Sequence, residues 1–225
     1  MNSGLHLHLD PVGGVAGDMF VAALLDAWPD LVDGAIAAVR AAGLGDTITL
    51  EHRPHRDEVL VGSRFAVTQN EAKGSGHEHV HWHHLREHLS AAPLDELVRA
   101  RAIAIFALLA EAEAGVHGGE VDAATFHEVG AWDSIADIVA AAYLIETVGV
   151  ESWSVGPLPI GGGRVCCAHG DLPVPTPATA RLLQGFVFHD DGRTGERVTP
   201  TGAAILKQLG ASEEPKPGTR RLLRT

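Results

Sequence analysis

The stretch "LHLHLDPVGGVAGDMFVAALLDAW", residues 5–28, sets the fold class. Leu5, Leu7 and Leu9 alternate with His6 and His8, and a period of two predicts a strand with one apolar face. "PVGG" (11–14) interrupts the alternation, and from Met19 the apolar residues take up helical spacing. Strand, glycine-rich turn and helix in succession predict an architecture in which helices cover a sheet.

Working outward, "DLVDGAIAAVRAAG" (30–43) predicts a second helix stopped by Gly43. "TITLEHR" (47–53) and "RFAVTQ" (64–69) predict a hairpin around the polar "PHRDEV". Longer helices are predicted over 94–115, ending at Gly115, and over 133–149, with 116–132 mostly loop. Residues 152–175 predict one or two short strands with a glycine turn, and short helices follow at 177–185 and 202–210. The sum is one mixed α/β (α+β) domain over residues 1–210, a small mixed sheet flanked by about six helices, with 211–225 a frayed polar tail.

With 45% apolar residues the chain can bury an ordinary core. Seventeen Lys and Arg against 29 Asp and Glu leave a net charge of −12, which repels phosphate backbones and argues against nucleic acid as a partner. The two cysteines, Cys166 and Cys167, are adjacent, which excludes a disulfide framework and predicts a cytoplasmic setting. Both are expected at a buried strand end. The N-terminus has no signal-peptide pattern, and no apolar run reaches the ~18 residues of a membrane span. No G-x-S-x-G occurs.

Four segments carry chemistry. Six of the fourteen histidines, His77, His79, His81, His83, His84 and His88, fall in "GHEHVHWHHLREHL" (76–89). In an extended chain the first four project from one face, and in a helix His84 and His88 share a face. Neutral imidazole suits nickel, zinc and copper, so the tract predicts metal contact; the plain alternative is a metal-scavenging loop with no fixed role.

The second segment is "FHEVGAWDSIAD" (126–137). Ser134 and Asp137 form a capping pattern, while Asp133 and Asp137 stand four apart on one helix face where a hydrated Mg²⁺ or Mn²⁺ could sit. His127 and Glu128, just upstream, have no such capping explanation. In the third, "LDPVGGVAGDMF" (9–20), Asp10, Gly17 and Asp18 surround a glycine turn that lets a ligand approach backbone, or Asp18 is simply an N-cap. The fourth joins "CCAHGDLPVPTPAT" with "VTPTGAA". His169 lies in a proline-stiffened loop, and Thr176, Thr199, Thr201 and Gly202 sit at helix starts that either bind a phosphate or are plainly capped.

Taken together, "LHLDPVGGVAGDMF", the histidine tract, "FHEVGAWDSIADIVAAA", "AHGDLPVPTPAT" and "TPTGAAIL" resemble the amino-terminal region of the pyridinium-3,5-bisthiocarboxylic acid mononucleotide nickel insertion protein family. They come in the family's order over roughly residues 5 to 210. The resemblance implies insertion of Ni²⁺ into a pyridinium mononucleotide bearing two thiocarboxylates, through two nickel–sulfur bonds and one nickel–carbon bond, with CTP consumed. On this view residues 77–88 gather the substrate nickel, and His127, Glu128 or His169 takes the ring proton. Asp10, Asp18, Asp133 and Asp137 hold Mg²⁺ or Mn²⁺, and Thr176, Thr199, Thr201 and Gly202 bind the nucleotide phosphate. Longer family members continue into a carboxy-terminal CTP-binding domain that these residues do not include, so a separate CTP-binding subunit is an expected partner. A lactate racemase-like enzyme is the expected acceptor of the product, and homo-oligomeric assembly stays open. The competing expectations are a non-catalytic nickel chaperone or store built on residues 77–88, and a metal-dependent phosphohydrolase or nucleotide-binding enzyme using the same carboxylates.

Overall fold

The computed structural model describes residues 4–44, 48–70, 80–126, 132–167 and 170–211. In chain order, β1 (His6–Leu9) leads into α1 (Gly17–Ala27), a 3₁₀ turn at Pro29–Leu31 and α2 (Val32–Val39), whose extension reaches Leu44. The hairpin β2 (Ile48–Arg56) and β3 (Val61–Gln69) follows, then β4 (Val80–His81), α3 (Trp82–Ala91), α4 (Glu96–His117), β5 (Thr125–Phe126) and α5 (Trp132–Val148). The last third comprises β6 (Ser152–Val155), β7 (Leu158–Pro159), β8 (Arg164–Cys167), β9 (Gly170–Pro173), α6 (Pro177–Leu182), β10 (Phe188–His189) and α7 (Pro200–Leu209).

The mixed α/β architecture read from the sequence is present, with seven α-helices among the described residues. Its strands are spread over two-stranded pairings: β1 with β6 and β7 with β10 are parallel, and β2–β3, β4–β5 and β8–β9 are antiparallel. Helices therefore carry the core. α5 is alanine-rich and buried over most of its circumference, from Ile135 through Ile145, as befits a helix enclosed by others. α1, α2, α4 and α7 pack on it. Arg101 of α4 ties these layers together, bonding Glu146 of α5 and, at 2.6 Å, Gln208 of α7.

β1 shows why a strand opens the chain. Its leucines pack inward, and its histidines are satisfied across the parallel pairing to β6. His6 meets the Ser152 hydroxyl at 2.7 Å through Nδ1 and the Ser154 hydroxyl at 2.8 Å through Nε2, and His8 Nδ1 meets Ser154 at 2.8 Å. Ser154 is fully buried, so these rings are what keep its hydroxyl satisfied.

Three local readings need correction. α4 runs past Gly115, which faces Arg181, and stops at Gly118, whose φ of 70° is the left-handed cap a glycine provides. Residues 152–175 hold four short strands where the sequence suggested one or two: Gly161 and Gly163, with φ of 70° and 83°, turn the chain between β7 and β8, and β8 pairs with β9. Cys166 is exposed and Cys167 half-buried, because β8–β9 is a two-stranded ribbon with solvent beside it. The sequence segments 77–79, 127–128, 169 and 212–225, with the readings made on them, lie outside the described residues.

Candidate functional site

The starts of α1, α5 and α7 meet beside the β2–β3 hairpin and enclose a cleft of about 510 Å³. Gly17 and Asp18 come from α1, Asp133, Ser134 and Asp137 from α5, and Thr199, Pro200 and Thr201 from α7. Arg53, Arg64 and the Phe65–Val67 segment form the hairpin wall.

Local backbone pairing sets this meeting point. Val15 N–H donates to the Arg197 carbonyl at 2.9 Å, and Thr199 N–H donates to the Val15 carbonyl at 3.0 Å, so the two loops run in register into α1 and α7. The helices then touch through glycine. A Cβ on Gly202 would lie 2.4 Å from the Val15 carbonyl oxygen, and one on Gly17 would lie 2.9 Å from Asp137 Cβ. The glycines beyond the first strand thus admit the protein's own backbone.

The threonines are used internally. The Thr199 hydroxyl caps α7 by accepting from Gly202 N–H at 3.2 Å, Thr201 accepts from Gly17 N–H at 3.3 Å, and the two hydroxyls lie 2.9 Å apart. Thr176 heads α6 away from the cleft, with its hydroxyl 2.9 Å from that of Thr179. Asp10 is exposed at the end of β1 and does not line the cleft.

The carboxylates of Asp18, Asp133 and Asp137 do come together, but with an electrostatic character the sequence did not suggest. Ser134 lies inside α5, so the capping pattern is not realised; instead Asp133 accepts from Ser134 N–H at 2.7 Å. Asp18 is likewise within the first turn of α1, whose N-cap is Ala16. Burial, followed by the neighbouring Asp18 and Asp133 carboxylates, pushes Asp137 up to about 8, partly offset by a hydrogen bond from the Asp18 backbone amide. Asp137 Oδ1 is buried without a hydrogen-bond partner. Near neutral pH this side chain therefore holds a proton. Among the described residues no three His, Cys, Asp or Glu side chains converge on a point that would hold a metal ion.

The histidine tract divides. His81 ends β4, and α3 begins at Trp82, so His83 and His84 lie on the helix and the extended alternation stops at His81. The His83 and His84 rings lie 3.9 Å apart, and His81 is 5.6 and 5.8 Å from them, with its Nδ1 3.0 Å from the Thr125 hydroxyl. His88 is turned away, its Nε2 2.7 Å from the Ala42 carbonyl. Trp82 is core, packed edge-on to Phe126.

Sequence reading missed Arg53 and Arg64. The available signal was two arginines on the two strands of one hairpin in an acidic chain, but only the register places them side by side.

Fold and cleft together define a class: a mixed α/β protein with a charge-lined cleft of about 510 Å³ and a separate cluster of imidazoles. Comparison with known families makes it particular. A family model described as nickel insertion protein matches residues 7–222, and the chain belongs to that family. Proteins of Geobacter sulfurreducens (44% identical over 213 residues, 94% of this chain and 53% of the relative) and Pelobacter propionicus (45% over 215 residues, 94% and 53%) are provisionally named for nickel insertion. An Akkermansia muciniphila relative, 39% identical over 222 residues (96% of this chain, 54% of the relative), is named pyridinium-3,5-bisthiocarboxylic acid mononucleotide nickel insertion protein. The chain spans about half the length of these relatives. No solved structure matches. No described helix is long and apolar enough to cross a membrane.

Proposed function

We propose that this chain takes part in inserting nickel into pyridinium-3,5-bisthiocarboxylic acid mononucleotide, with the cleft at the α1, α5 and α7 starts as the nucleotide site and the histidine tract as the nickel-gathering segment. One observation carries the reading: Gly17–Asp18, Asp133–Asp137 and Thr199–Thr201, far apart in sequence and each within a segment that resembles the family, line one cleft of about 510 Å³. That volume is in the range of small-molecule sites.

The nickel segment is tethered close by. His81 pairs with Thr125 on β5, and α5 begins six positions after Phe126. Chain geometry keeps Phe126 and Trp132 within about 22 Å of each other. His81, His83 and His84 accept Ni²⁺ after rotation of their rings, with His77 and His79 completing the set, and imidazole hands the ion on to softer sulfur ligands of the substrate. The ring proton displaced when nickel bonds to carbon goes to a base drawn from His127, Glu128 and His169. The CTP-dependent part of the reaction belongs to the half of the relatives that these 225 residues do not span, and the product passes to a lactate racemase-like enzyme.

Calorimetric titration with Ni²⁺, with and without the bisthiocarboxylated mononucleotide, tests this. Nickel binding is expected to tighten in its presence, and changing His81, His83 and His84 together to Ala should abolish nickel binding while the nucleotide still binds. The close packing of those three rings on an exposed helix start also favours a second reading, a nickel carrier without a substrate site. Nickel binding indifferent to the nucleotide selects that carrier.

A further inference from the structure

Resting on that nucleotide reading, we infer that Arg53 and Arg64 clamp the phosphate of the mononucleotide, so that it lies on the hairpin wall with the ring directed toward the helix starts. The two arginines are Cα partners in the β2–β3 register, hence side by side on one face. Like charges directly opposite one another destabilise an antiparallel pair. Both side chains are exposed, and neither forms an ion pair with a carboxylate among the described residues; Arg64 has only the His55 ring, 3.1 Å from its Nη2. In a chain with a net charge of −12, this is a concentrated patch of positive charge facing a cavity.

The threonines and carboxylates that share the cleft are poor partners for a phosphate. The Thr199 and Thr201 hydroxyls are engaged with Gly202 N–H, Gly17 N–H and each other. Asp18 and Asp133 repel an anion, and Asp137 is crowded against both. The guanidinium fork matches phosphate geometry, and two forks on adjacent strands present donors to a single phosphate. The carboxylates lining the same cleft therefore act as a repulsive element that directs the phosphate to the arginines.

The test is calorimetric titration of the full chain with nicotinate mononucleotide and with the matching riboside, which lacks only the phosphate. The wild type is expected to bind the mononucleotide more tightly. Arg53→Ala and Arg64→Ala should each weaken the mononucleotide about ten- to hundred-fold and leave riboside affinity unchanged. The double variant should bring the two ligands level, and Arg53→Lys should fall between wild type and Arg53→Ala. Thermal midpoints should not drop, because each substitution relieves a like-charge contact. Unchanged mononucleotide affinity in the double variant overturns the clamp and leaves the nucleotide reading standing. A wild type that binds neither ligand overturns both. Riboside affinity lost together with a lowered midpoint means a structural role, and overturns the clamp alone.

Discussion

Asp137→Asn should make the protein more stable at neutral pH and leave it nearly unchanged only below about pH 4, with the gain growing as pH rises. The Asp137 carboxyl titrates at about 8 in the folded chain against an ordinary 3.8, because it is buried and faces Asp18 and Asp133. Folded chain therefore binds more protons than unfolded chain between those values, so stability falls as pH rises through the window. Below about pH 4 both states are protonated and there is no loss; above about pH 8 both are ionised and the loss is complete. One proton of difference is worth about 1.4 kcal/mol per pH unit, so from pH 5 to pH 7.5 the wild type loses up to about 3 kcal/mol relative to the amide. The variant keeps an oxygen for the Asp18 amide and carries no titratable proton, so other groups cancel in the comparison. Urea unfolding of both proteins at pH 5 and 7.5 reads the difference. A difference that does not change with pH refutes the buried, proton-holding carboxyl. One that moves the other way means Asp137 is ionised against a cation in the folded chain.

Gly202→Ala should cost about 1–3 kcal/mol in urea unfolding, since its Cβ would lie 2.4 Å from a backbone carbonyl that is itself bonded to Thr199. Ser154→Ala removes the buried hydroxyl shared by His6 and His8, with an expected loss of about 1–3 kcal/mol by the same assay. His88→Leu should lower stability by about 1 kcal/mol through the lost Ala42 contact, while calorimetric nickel stoichiometry stays the same. Nickel affinity of the wild type should fall between pH 7 and pH 5, because imidazole titrates near pH 6.5 and its protonated form cannot ligate; an affinity that is flat across that range points to other ligands.

The elements were legible where periodicity was strong: the leucine alternation of β1, the helices over 94–115 and 133–149, and the two threonine-led helices all correspond to real elements. Relations between elements were not. The glycines at 13–17 read as a ligand loop, yet Gly14 and Gly17 are pressed on Arg197 and Asp137, contacts set by residues far along the chain. Each threonine by itself read sooner as a cap than as a phosphate ligand, and the partner distances show Thr199 and Thr201 engaged within the fold. Asp133 and Asp137 share a helix face, as their spacing of four predicts. That a third carboxylate from α1 crowds them could not be read locally. His88 matched the metal pattern of its tract, but a carbonyl at the end of α2 claims it.

Two breaches of ordinary fold economy lie in the lining of one cleft. Arg53 beside Arg64 is a cross-strand repulsion, and Asp137 between Asp18 and Asp133 is a buried like-charge contact with an unpaired oxygen. Neutral residues at these positions would serve the fold better, whereas the packing glycines and the Ser154 bridge cannot be improved by substitution. Folds keep such costs where a ligand offsets them. Substitution should therefore split the molecule into two sets. Gly202→Ala and Ser154→Ala lose stability wherever they are measured, while Arg53→Ala and Asp137→Asn hold or gain it. The second set lies in one cleft, and it is there that stability is given up for binding.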